Sequence, residues 1–287
     1  MFPLDLVNLP TLMERTQGSP AVRIALIDGP VVTEHTDLAT DHLVAISGEK
    51  SASCIRTDSA ACLHGTFVAG ILSARRNSAA PAICPDCTLL IRSIFTETNS
   101  ASEHMPSATP LELAKAIVET IDAGAHLINL SVALSAYSSR GKQELVDSLN
   151  YAASQGVIVV AAAGNQRLVG GSTITGHSWV IPVAACDAQG KPVKDSNLGN
   201  SIGRRGLSAP GQDITSLGTN GSPARLAGTS AAAPFVTGTA ALLWSLFPKA
   251  SPSRVKLALT NGSGPRRKTV VPPLLDAWGA YQAMQGA

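Results

Sequence analysis

What most constrains this chain is an alternation. Runs of strand length rich in Val and Ile, at residues 22–28, 88–94, 126–130, 157–162 and 180–185, are separated by segments whose apolar residues recur with helical period. That βαβα order predicts an α/β fold of three layers, with a mostly parallel sheet between helices. One helix start is written out in full: Thr109-Pro110-Leu111-Glu112 places Thr at the N-cap, Pro at the first helical position and Glu at the third, a reciprocal capping box. Leu113, Ile117 and Ile121 then form a stripe to lay against the sheet. Further helices are expected over 64–74, over 144–153 with Gly156 as C-terminal cap, over 228–247, and from Ser251-Pro252 to 259. Only 11 of the 287 residues are aromatic, so the core must be built of Ala, Val, Leu and Ile, which suits helices packed closely on a sheet. No repeat, heptad or low-complexity linker interrupts the pattern. The expectation is therefore a single domain over 1–287, with a lead-in of 1–20, a motif-bearing core of 22–259 and a C-terminal extension of 260–287.

Charge and cysteine content narrow the partners. The formal net charge is +2, so no long-range field draws a polyanion, and nucleic acid is not expected. Residues 214–287 hold seven bases against the single acid Asp276; this reads as a solvated basic face, or alternatively as a dock for an acidic substrate segment at Arg266, Arg267 and Lys268. The longest apolar region, 226–247, is broken by Gly228, Ser230, Pro234 and Gly238 and reads as a buried helix, so no membrane partner is expected. The opening MFPLDLVNLPTLMERT has no basic stretch before an apolar one, which predicts a cytoplasmic location. Five cysteines are too few for a disulfide scaffold. Loop disulfides Cys54–Cys62 and Cys84–Cys87 are the sequence-local pairings, with plain thiols as the alternative, and Cys186 at a strand end is expected to be buried. The cysteine spacing matches no common zinc finger and the acids show no calcium-loop pattern, so neither a metal nor another cofactor is expected.

Four segments carry chemistry, and each also has a purely structural reading. Asp28 ends the strand 22–28 before Gly29-Pro30; ligands bind at that edge of a parallel sheet, although an Asp there also caps a turn. His64 opens His64-Gly65-Thr66, where it is expected to face outward from the first turn of a helix, or to be an ordinary hydrogen-bonded histidine. Ser230, in Gly228-Thr229-Ser230-Ala231-Ala232-Ala233-Pro234, stands where a helix start aims free N–H groups at an incoming oxyanion. Pro234 has no N–H and so deprives the Ser230 carbonyl of its helical partner, which could equally be a simple kink. Asn165 follows Ala163 and Gly164 at a strand end, either forming a turn or donating its amide to an oxyanion, with the flat Ala-Gly edge as a pocket wall.

The chain order Asp, His, Ser resembles that of the subtilisin-like serine proteases. Ile27-Asp28-Gly29 is similar to the family's aspartate motif, His35-Thr36-Asp37-Leu38 to the segment after it, His64-Gly65-Thr66 to its histidine motif, Ala163-Gly164-Asn165 to its oxyanion motif, and Gly228 through Pro234 to its serine motif. The resemblance implies a subtilisin-like fold, a peptide or protein substrate and acyl transfer: Ser230 as nucleophile, His64 as base, Asp28 as orienting acid, and Asn165 as oxyanion donor. It also implies a substrate edge at Ser131, Val132 and Ala133, with Ala163 and Gly164 opposite. Three positions depart from the pattern: Gly29 stands where Ser or Thr is usual, Ala231 where Met is usual, and Ala133 where Gly is usual, the last being expected to narrow the first specificity pocket. Within the family, the Asp-Gly-Pro variant and compact length look similar to the subtilisins that remove leaders from cyanobactin-type precursor peptides. A ligase or macrocyclase on the same triad, or an inactive peptide-binding relative, are the alternative functions.

Overall fold

The computed structural model describes residues 3–97, 108–132, 141–262 and 269–286. Seven strands form one parallel sheet in the order β2-β3-β1-β4-β5-β6-β7: β1 is Arg23–Asp28, β2 Leu43–Ala45, β3 Thr88–Ser93, β4 Leu127–Leu130, β5 Ile158–Ala162, β6 Ile181–Cys186 and β7 Leu207–Pro210. A separate antiparallel hairpin joins β8, Ile214–Leu217, to β9, Pro223–Leu226. The helices are α1 Pro3–Leu6, α2 Leu9–Arg15, α3 Ala60–Ser73, α4 Pro110–Asp122, α5 Lys142–Ser154, α6 Thr173–Gly176, α7 Asn200–Arg205, α8 Thr229–Leu246, α9 Pro252–Gly262 and α10 Ala277–Gln285. The α/β sandwich predicted from the alternation is the observed architecture.

Strand periodicity divides the core in two. In β1, Ile24 and Leu26 point into a cluster with Phe67, Ile71, Phe235 and Val236 of α3 and α8, whereas Ala25 and Ile27 point into one with Leu113, Ile117, Leu145 and Leu149 of α4 and α5. β1 is paired with β3 on one side and β4 on the other, with a register of Ile24 against both Leu89 and Leu127. Strand order reverses there, and such a switch point leaves a crevice beyond the carboxyl ends of the strands. Asp28, the last residue of β1, stands at that edge.

The capping box at Thr109 is present, with the Thr109 side chain accepting from Glu112 N and the Glu112 carboxylate accepting from Thr109 N. Gly156 follows α5 at a φ of 69°, as a C-terminal cap requires. The helix expected from His64 is a correction. It begins four residues earlier, at Ala60 after Ser59, because Ala60 and Ala61 are strong helix formers and the disulfide Cys54–Cys62 ties its first turn to the preceding loop. The lead-in and the C-terminal extension also carry helices without a clear signal in the apolar pattern. Val7, Leu9 and Leu12 are fully buried, and Ala277 N donates to Val7 O, so the two ends of the described chain are packed together. No helix among the described residues is long and apolar enough to cross a membrane.

Candidate active site

Asp28 and His64 meet in the crevice. The imidazole Nδ1 lies 2.6 Å from Asp28 Oδ1, and that oxygen also accepts from Gly29 N at 2.6 Å; the carboxylate is fully buried and the histidine 6% exposed. His64 therefore lies in the second turn of α3 and is turned inward, not outward from the first turn as its motif suggested. Gly29 is imposed by this approach. A Cβ there would stand 2.0 Å from the Ala61 carbonyl oxygen, inside the helix that carries His64, so the hydroxyl residue usual at this place has no room. The second oxygen, Asp28 Oδ2, has no hydrogen-bond partner among the described residues. Burial, the largest single influence on His64, lowers its pKa, but the charge and hydrogen bond of Asp28 together outweigh it and hold the imidazole above its ordinary 6.5.

Ser230 is the second residue of α8, a helix that packs against α3. Gly228 precedes it at a φ of 121°, a backbone shape that side-chain-bearing residues avoid, and a Cβ there would come 2.8 Å from Asn165 Nδ2. Asn165 is locked by Thr229. Its Oδ1 accepts from Thr229 N at 2.9 Å and from Thr229 Oγ1 at 3.2 Å, and because a backbone N–H can only donate, the amide NH₂ must be the other end. Thr229 Oγ1 in turn accepts from Gly164 N, while Ala163 O accepts from Asn197 Nδ2. Among the described residues neither Asn165 Nδ2 nor Ser230 N–H has a partner, so two donors stand ready beside one hydroxyl.

The carbonyl that Pro234 orphans is satisfied from the sheet. Ser131 Oγ donates to Ser230 O at 3.2 Å and accepts from Asn129 Nδ2 at 3.0 Å, and Asn129 Oδ1 accepts from Thr237 Oγ1 at 2.8 Å. Asn129 and Thr237 are fully buried and Ser131 nearly so. The sequence reading passed over Asn129 and Thr237; the available signal was an amide inside the apolar run Leu127-Ile128-Asn129-Leu130. Val132 is half-buried against the α4–α5 core, and Ala133 lies outside the described residues, as do Arg266, Arg267 and Lys268. A cavity of about 440 Å³ adjoins Asn165 and Gly228, with Asp187, Pro192 and Gln212 also on its wall.

Comparison with known proteins identifies the family of the chain. The model of the Subtilase family matches residues 19–277. The chain belongs to the subtilase family. It is 35% identical over 236 residues to a thermophilic serine proteinase of Bacillus sp. (strain AK1), covering 80% of this chain but 54% of that relative. The chain thus spans about half the length of that protein. Among solved structures it is similar to the prenylagaramide maturation protease PagA, with 30% identity, a TM-score of 0.83 and coverage of 97% and 98% of the two chains. The PatG macrocyclase in complex with peptide shares the fold at 21% identity and a TM-score of 0.82. Within this subtilase, Cys54 and Cys62 form a disulfide, whereas Cys84, Cys87 and Cys186 are buried free thiols, so only the first of the two sequence-local pairings is made. Burial, with the charge of Asp187 added, pushes the Cys186 thiol up to about 12.

Proposed function

We propose that this subtilase hydrolyses peptide bonds through an acyl-enzyme on Ser230. The observation that carries the reading is the buried 2.6 Å contact of His64 Nδ1 with Asp28. It fixes the tautomer: Nδ1–H faces the carboxylate, which leaves the Nε2 lone pair as the base for the Ser230 hydroxyl. Proton transfer to Nε2 generates an imidazolium beside a buried carboxylate, where the charge is stabilised until the Nε2 proton is given to the leaving amine as the C–N bond breaks. Asn165 Nδ2 and Ser230 N–H would receive the oxyanion, one from a side chain and one from a helix start. No hydrogen bond joins His64 to Ser230 Oγ among the described residues, and in free enzymes such bonds commonly tighten only when substrate arrives.

On the substrate side, residues 131–133 would form one edge and Ala163-Gly164 the other, with the cavity beside Asn165 and Gly228 taking leaving-side residues. The Ser131 hydroxyl is already committed to the Ser230 carbonyl, so Ser131 would meet substrate through its backbone. The finer reading is removal of a leader from a precursor peptide, which the 30% identity to the prenylagaramide maturation protease supports. A fluorophosphonate probe is expected to label the intact protein and to fail on Ser230→Ala; an unlabelled intact protein overturns the reading. Product masses settle the acceptor: linear fragments with one added water mean hydrolysis, whereas cyclic products without it assign a ligase.

A further inference from the structure

A groove of about 850 Å³ lies away from these residues, between α4 and α5. We infer that it docks a basic, amphipathic helix carried by the peptide substrate at a distance from the bond that is cut; this rests on the protease reading above. Three observations lead there.

The groove starts where catalysis would occur. α4 follows β3 and α5 follows β4, so both helices begin at the carboxyl edge of the sheet, the edge that bears Asp28 and Ser131. Their starts touch: a Cβ on Gly141 would stand 2.6 Å from Leu111 N. The groove and the candidate catalytic residues therefore share one edge of the sheet.

The walls specify what the occupant's backbone must do. Both are helices whose N–H and C=O groups are used internally, so an extended peptide would find no ladder to join. An occupant that satisfies its own backbone is a helix, packed into the furrow between two others. Its apolar face would meet Val118, Tyr151 and Leu111, which is 45% exposed.

Charge specifies the flanks. Glu49 pairs with Lys115, Glu112 with Lys50 and Glu119 with Arg92, but Glu144 and Asp147, on one side of α5, have no basic partner among the described residues. Five carboxylates and one ammonium line the groove. Lys or Arg beside the apolar stripe of the incoming helix would complete it, and acidic residues there would be repelled.

The test uses three synthetic peptides that share one cleavable reporter segment. A flexible Gly/Ser linker joins it to a Leu/Lys amphipathic helix, to a Leu/Glu helix, or to nothing. The Leu/Lys peptide is expected to be cut with a kcat/KM about 10-fold or more above the bare reporter through a lower KM, as tethering raises local concentration. That advantage should vanish in about 0.5 M salt, and in the exposed double variant Glu144→Lys/Asp147→Lys, which cuts the bare reporter as the parent does. Anisotropy of a labelled, uncleavable Leu/Lys peptide reads docking whether or not anything is cut, so a failed protease reading is told apart from a failed dock. Equal kcat/KM for the Leu/Lys and bare peptides, or an advantage that survives in the double variant, overturns the inference. So does a dimer in sedimentation equilibrium that the double variant dissociates, because the groove's occupant is then a second copy of the chain.

Discussion

His64 is the residue on which pH acts. Its folded pKa lies above 6.5, because the Asp28 charge and hydrogen bond outweigh burial. The protonated pair therefore stabilises the fold fully below the unfolded pKa, and that contribution is lost as pH rises through the folded value. Under the proposed mechanism activity runs the other way, since only the neutral imidazole accepts a proton. A profile of kcat/KM against pH is expected to rise with a midpoint above 6.5, and a flat profile between about pH 5 and 8 would remove His64 as base. Asn165 is tested by truncation. With its Oδ1 anchored to Thr229, its Nδ2 is the end left for the oxyanion, and Asn165→Ala should lower kcat by about 10² to 10³ with little change in KM, the range found when one such donor is removed. Unchanged kcat would show that the amide only shapes the turn.

At the scale of elements, the helix that carries Ser230 is held by the strand beside it. Pro234 takes the Ser230 carbonyl out of the α8 ladder, and the Asn129–Ser131 chain from β4 receives it, so strand and helix are registered to each other at Ser230. Ser131→Ala would leave that carbonyl without a donor. A loss of about 1–3 kcal/mol in stability is expected from denaturant melts, together with a fall in kcat while KM holds. A rise in KM alone would mean that Ser131 contacts substrate and does not hold the helix. The contact of β1 with α3 is equally tight, since Gly29 is the only side-chain size that lets Ala61 and hence His64 sit where they do.

For the whole molecule, the Cys54–Cys62 disulfide joins residues 8 positions apart and ties the preceding loop to the helix that carries His64. By loop-closure entropy its removal should lower stability by about 2–3 kcal/mol. Calorimetry of Cys54→Ser/Cys62→Ser is expected to show a lower Tm that reductant does not lower further, whereas an unchanged Tm would mean the loop is already ordered without the bond. The sequence was legible where a local rule acts: five Val- and Ile-rich runs became β1 and β3 through β6, and Thr109-Pro110-Leu111-Glu112 became a capped helix, because burial on a sheet and the orphan N–H groups of a helix start each demand particular residues within a few positions. It was less legible for α3, whose start depends on a disulfide, and for the short helices of the two chain ends, which are held by each other.

Spacing and residue type by themselves determined the layered α/β architecture and nominated Asp28, His64, Asn165 and Ser230, since periodicity and motif are properties of neighbours along the chain. Only the tertiary structure decided that His64 turns inward onto Asp28, that Thr229 orients Asn165, and that a buried asparagine on β4 reaches the Ser230 carbonyl through Ser131. Apart from the local step from Asn129 to Ser131, those contacts join residues 36 to 99 positions apart, and they exist because the sheet order brings the ends of β1, β4 and β5 to one edge.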